Sequence, residues 1–228
     1  MPLRASRVIM KYVRYERRKS MKNEKMLMAL TDNDIEFLPQ TTKQKILNTV
    51  MPVLLPQKAV PQGRVKLPVR GMDDIMLTFV FCSDESPYTP ITQSLIKVYE
   101  ITPRELCKSI NENPCSYTLK TLDEMTGFPE SGIPIYVLTN PENFLGAGGI
   151  VLPSVLTQLS DFFMQDFYIL PSSIHEVIVI PVDRINYTPK QLAKMVGNTN
   201  RYFVRKLDAL SAHVYRADYR TLEIMTIH

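Results

Sequence analysis

Ile75-Met76-Leu77-Thr78-Phe79-Val80-Phe81-Cys82 is apolar at odd and even positions alike. Successive side chains of a strand point to opposite faces, so a run without alternation reads as a central strand covered on each side. Ser83-Asp84-Glu85-Ser86-Pro87 supplies turn chemistry after it, and Ser94–Glu100 reads as a further strand. Thr102-Pro103-Arg104-Glu105 then places Thr at N-cap, Pro at N1 and Glu at N3. A helix is expected from there, with Leu106 and Ile110 on one face, ending at Asn113-Pro114.

The pattern continues to the C-terminus. Ile135–Leu138 reads as a strand, and Leu152, Val155, Leu156, Leu159, Phe162 and Phe163 form a helical stripe. Phe167–Leu170 and Glu176–Val182 read as strands. Thr188-Pro189-Lys190-Gln191 repeats the helix start, with Leu192, Met195 and Val196 inward. Last strands are expected around His213–Tyr215 and Leu222–Ile227. The two Thr-Pro starts share Thr, Pro, Leu and Lys at equal offsets; either a duplicated strand–strand–helix unit or convergent capping chemistry explains that.

Upstream, the spacing predicts a short helix over 42–51. Pro52, Pro56, Pro61 and Pro68, with Gly63, argue against regular structure over 52–68. Residues 6–30 read as a helix with a narrow apolar stripe at Val8, Ile9, Tyr12 and Val13, as expected of a helix lying on a surface. The expected organisation is a basic helical segment at 1–51, a Pro-rich linker or loop at 52–70, and an α+β domain at 71–228. The fold class is α+β: a mixed or antiparallel sheet of strand–strand–helix units with helices on its face.

At 228 residues and 45% hydrophobic content the chain can bury an ordinary core. Its apolar runs are far shorter than the roughly 20 residues a spanning helix needs, and the N-terminus lacks a secretory signal pattern. The expected location is the cytoplasm, without a membrane partner. Residues 1–25 hold nine Lys or Arg against two Glu, a net +7, which leaves −3 elsewhere in the global +4. Cys82, Cys107 and Cys115 have no CxxC spacing and read as buried reduced thiols. With only His175, His213 and His228 besides, no metal or cofactor is expected.

The run Tyr168-Ile-Leu-Pro-Ser-Ser-Ile-His-Glu-Val177, preceded by Ile135-Tyr-Val-Leu-Thr-Asn140, resembles an uncharacterised bacterial domain family. Phe144-Leu-Gly-Ala147, Met195-Val196 with Asn200, Ser211-Ala-His-Val-Tyr-Arg216 and the Val98–Leu106 segment are similar to the same family. The likeness spans roughly residues 70–218. It implies a domain common in anaerobic Firmicutes and on mobile elements, with no established activity.

Four constellations carry candidate chemistry. Ser172, Ser173, His175 and Glu176 together resemble hydrolase components. In an extended segment, however, Ser173 and His175 share a face and Glu176 points away, and GxSxG and HExxH are both absent. A polar hairpin turn is the simpler reading. Gly146-Ala147-Gly148-Gly149 before a helix invites a phosphate-loop reading, but the Walker Lys is missing and tight packing explains it better. Asp73-Asp74, Asp84-Glu85 and Asp123-Glu124 read as capping and solubility acids beside turns. Arg14, Arg17, Arg18, Lys22 and Lys25 recur three to four apart and suit phosphates or an acidic partner, with Tyr12 and Tyr15 for stacking.

Few reactive side chains in well-built elements point to a non-catalytic accessory or regulatory protein acting on a protein partner. Its association with mobile elements, implied by the resemblance, suits a modulator of a host system. Nucleic-acid binding through the basic helix is the second expectation, and a hydrolase centred on Ser173 and His175 the third.

Overall fold

The computed structural model describes residues 41–83, 88–126, 135–171, 173–202 and 204–227. The chain opens with α1 (Lys43–Thr49), whose Thr42 accepts the Lys45 N–H, and which buries Ile46. Next come β1 (Met51–Pro56), β2 (Lys66–Val69) and β3 (Met72–Phe81), forming an antiparallel sheet in the order β1-β3-β2. A two-residue strand, β4 (Thr89–Pro90), joins β3 at Val80 and Phe81. The central place of β3 is the one its two-faced apolar run requires, and Ile75, Phe79, Val80 and Phe81 are all buried.

The Pro-rich stretch is therefore not a linker but two strands, a correction of the expectation for 52–70. Proline lacks an N–H and is tolerated where one side of the strand makes no ladder. Both proline-bearing strands lie outside β3, with Pro52 opposite Phe79 and Pro68 opposite Met76. The boundary expected between 70 and 71 falls inside this sheet.

Ser94–Glu100 is a second correction. It is α2 (Gln93–Val98), not a strand, because the Thr92 hydroxyl caps the Leu95 N–H at 3.1 Å. Helix α3 (Pro103–Glu112) follows with the full capping box expected at Thr102 and Glu105, and it buries Leu106 and Ile110. Since α2 rather than a hairpin precedes α3, the two Thr-Pro starts share capping chemistry and not a repeated unit.

The second sheet is antiparallel in the order β10-β9-β7-β8-β6-β5. Its members are β5 (Thr118–Thr121), β6 (Tyr136–Thr139), β7 (Phe167–Leu170), β8 (Val177–Pro181), β9 (Val214–Ala217) and β10 (Ile224–Ile227). Three helices accompany it: α4 (Leu122–Thr126), α5 (Pro153–Phe163) and α6 (Pro189–Tyr202). Alternation along β8 divides the protein's apolar content. Val177 and Val179 join the larger core with β1, β3, α3 and α5, whereas Ile178 and Ile180 join Leu192 and Val196 of α6. The α+β class is as expected.

No helix among the described residues is long and apolar enough to cross a membrane. The three cysteines are free, and Cys82 is exposed rather than buried as expected. Burial raises the thiol pKa values of Cys107 and Cys115.

Candidate functional site

Between β6 and α5 the chain makes a turn at Asn140–Leu145, then a 3₁₀ segment at Gly146–Val151. The Asn140 side chain holds the turn from both sides, donating to Phe144 O at 2.7 Å and accepting its N–H at 3.0 Å. Asn143 and Leu145 take positive φ values of 51° and 57°, conformations that non-glycine residues enter only under constraint. The glycines that follow are packing devices. A Cβ on Gly148 would fall onto Pro52 O, and one on Gly146 would sit 2.5 Å from Asn140 N. No concavity for a phosphate is left where β1 and β6 meet this segment.

His175 completes this junction. Its Nδ1 accepts the Leu145 N–H at 3.2 Å, and its ring stacks on Phe144 at 5.0 Å. An accepting Nδ1 leaves the ring proton on Nε2, which faces Asp208 Oδ1 at 3.5 Å. That separation suits an ion-pair contact but is too long for a good hydrogen bond, so both atoms count as unsatisfied when only hydrogen bonds are considered. We regard them as facing partners, because the side chains are only 8% and 6% exposed and a small closure would join them. Arg205 Nε anchors the other Asp208 oxygen at 2.8 Å. Burial raises the Asp208 carboxyl, but His175 and Arg205 together outweigh that effect and leave its pKa lowered.

Ser173 does not meet the imidazole as a nucleophile meets its base. Its Oγ accepts the backbone N–H of His175 at 3.0 Å, a local turn bond, while its strand bridge pairs it with Ala209. Glu176 is buried, and Ser172 lies outside the described residues. Arg14, Arg17, Arg18, Lys22 and Lys25 lie outside them as well.

A second cluster escaped the sequence reading, although its residues were in view. Asp74, expected to be a turn acid, lies in β3 and receives side chains from the β9 region. Ser211 Oγ donates to its Oδ2 at 2.7 Å, the Tyr215 hydroxyl donates to its Oδ1, and His213 Nδ1 stands 2.9 Å from Oδ2. This carboxylate ties one sheet to the other. Burial alone would raise its pKa, but the bonds from Tyr215 and Ser211 and the adjacent His213 hold it below the usual carboxylate range. Burial and the same carboxylate push the Tyr215 hydroxyl far up. Two Ser-x-His stretches facing an aspartate were the available signal, and distance in sequence hid it.

The main apolar concavity of interest lies elsewhere. A groove of about 400 Å³ runs between β5, β6 and α5, with Tyr117, Leu119, Tyr136 and Phe162 in its wall. Phe162, counted inward in the helical stripe, is instead 57% exposed. Its ring is nevertheless fixed, edge-on to Tyr136 at 5.4 Å and to Phe163 at 5.0 Å. Glu124 is the charged residue in the described lining; its carboxylate accepts the Thr121 N–H at 2.7 Å.

Two antiparallel sheets locked by a glycine-rich junction, with polar clusters turned inward and one aromatic groove outward, define an α+β protein with no assembled catalytic centre among the described residues. A family model described as "Family of unknown function (DUF5688)" matches residues 41–219, and the chain belongs to that family. No curated protein and no solved structure shows a significant match to the chain.

Proposed function

We propose that this is a non-catalytic accessory or regulatory protein that acts by holding another protein against the groove between β5, β6 and α5. The observation that supports this reading is Phe162, a large aromatic side chain 57% exposed yet orientationally fixed by Tyr136 and Phe163. Rigid aromatic anchors beside an apolar cleft are what protein interfaces use, because little side-chain freedom is lost on binding. The imidazole of His175, by contrast, spends both nitrogens within the fold.

A pull-down from bacterial lysate with wild type and Phe162→Asp in parallel tests the proposal. The wild type is expected to retain one partner saturably, and the variant, with an unchanged melting curve, to bind it roughly tenfold more weakly or worse. Equal retention by both would place the contact elsewhere on the surface.

A further inference from the structure

We infer that the occupant of this groove, when no partner is present, is the chain's own basic N-terminal segment, residues 6–25. The inference rests on reading the groove as a contact surface and adds regulation to it: a partner must displace the segment to bind.

Complementarity comes first. Val8, Ile9, Tyr12 and Val13 fall at helical spacing, with Lys11, Arg14, Arg17 and Arg18 between and beyond them. Such a stripe needs an apolar surface that also tolerates cations. The groove offers both. Tyr117, Tyr136 and Phe162 present aromatic surface, and Glu124 is the charged lining residue. Because Leu119 and Thr121 face the groove, Lys120 between them is directed to the opposite side of β5, so the strand sets no cation against the segment. Hydrogen bonds from Thr121 hold the Glu124 carboxyl below its usual range, which keeps it anionic. Aromatic faces and a carboxylate together favour Arg and Lys side chains.

Reach comes second. The described chain starts at Thr41, two residues before Lys43, whose Nζ lies 2.8 Å from Glu105 near the start of α3. The groove opens at Tyr117, beyond the other end of α3. Ten helical residues cover about 15 Å, and the five from Asn113 to Tyr117 at most about 17 Å. Residues 26–40, fifteen in all, can span up to about 50 Å. The tether is long enough, and a tethered ligand of this length acts at millimolar effective concentration. The family match begins at residue 41, so the segment is an addition to the family's body rather than part of it.

The chain contains no tryptophan, so Phe162→Trp in the full-length protein is a single reporter at an exposed position. Its acrylamide quenching is expected to rise at least about threefold when Val8→Asp and Val13→Asp are added. Carbodiimide coupling of the unmodified chain should join Glu124 to lysines among residues 11–25, and the same two substitutions should abolish that link. Quenching and coupling that ignore Val8→Asp and Val13→Asp overturn the inference. So does protection that vanishes on dilution, which would mean a second copy fills the groove. Loss of partner capture with protection intact would sink the partner reading alone; partner capture with unchanged quenching would sink this inference alone.

Discussion

Ser173-Ile174-His175 and Ser211-Ala212-His213 are the same local device in two settings. In each, the serine oxygen accepts the histidine backbone N–H, at 3.0 Å and 2.9 Å, and the imidazole faces an aspartate brought from elsewhere in the chain. The first ring is 8% exposed, and both its nitrogens face the fold. The second is 55% exposed, with only Nδ1 engaged, at an Asp74 that also serves Ser211 and Tyr215. Local geometry is thus set by the tripeptide, while burial decides how much each histidine matters.

The comparison is sharpest at His175. Removing one member of a buried polar contact leaves the other uncompensated, here the Asp208 carboxylate together with the Leu145 N–H. His175→Ala is expected to cost about 3 kcal/mol of unfolding free energy in urea titrations. A cost under about 1 kcal/mol would mean that the turn at Asn140–Leu145 holds without it.

Asp74→Asn comes next and tests the link between the sheets. A carboxyl whose folded pKa lies below its unfolded value contributes stability above the unfolded value, near 4, and loses it as pH falls through the folded one. Asp74 is so depressed. Its replacement is expected to cost about 1 kcal/mol at neutral pH, discounted for a half-exposed site, with wild type and variant converging below about pH 4. A gap that persists or widens in acid would show that the carboxylate charge is not what joins the sheets.

The smallest effect belongs to His213→Ala, where solvent already competes for the ion pair, so a loss of about 0.5 kcal/mol is expected from thermal melts. Equality with His175→Ala would break the contrast between the two tripeptides.

Where a signal was carried by neighbours in sequence, it was readable in advance. The capping boxes at Thr102–Glu105 and Thr188–Gln191 form as their residue types require. The unalternating runs of β3 and β8 lie inside their sheets, covered on both faces. Leu192 and Val196 turn inward on α6. Misreadings arose where a partner remote in sequence decided the outcome. Proline argued against strands at Pro52 and Pro68, but an edge position beside β3 removes the objection. Ser94–Glu100 has apolar residues that suit either period, and the Thr92 cap selects the helix. Of the candidate site, Ser173 and His175 were visible as a pair; their engagement with Leu145 and Asp208 was not.

By itself, the sequence determined helix starts, the two-faced strands, the α+β class and an unevenly placed positive charge. Each depends on residues within a few positions of one another, where spacing and side-chain type suffice. Tertiary structure alone decided which aspartate each histidine meets, that Gly148 makes room for Pro52 O, and that Phe162 faces out beside Tyr136. Those outcomes come from packing between segments tens of residues apart, a contact that no local pattern encodes.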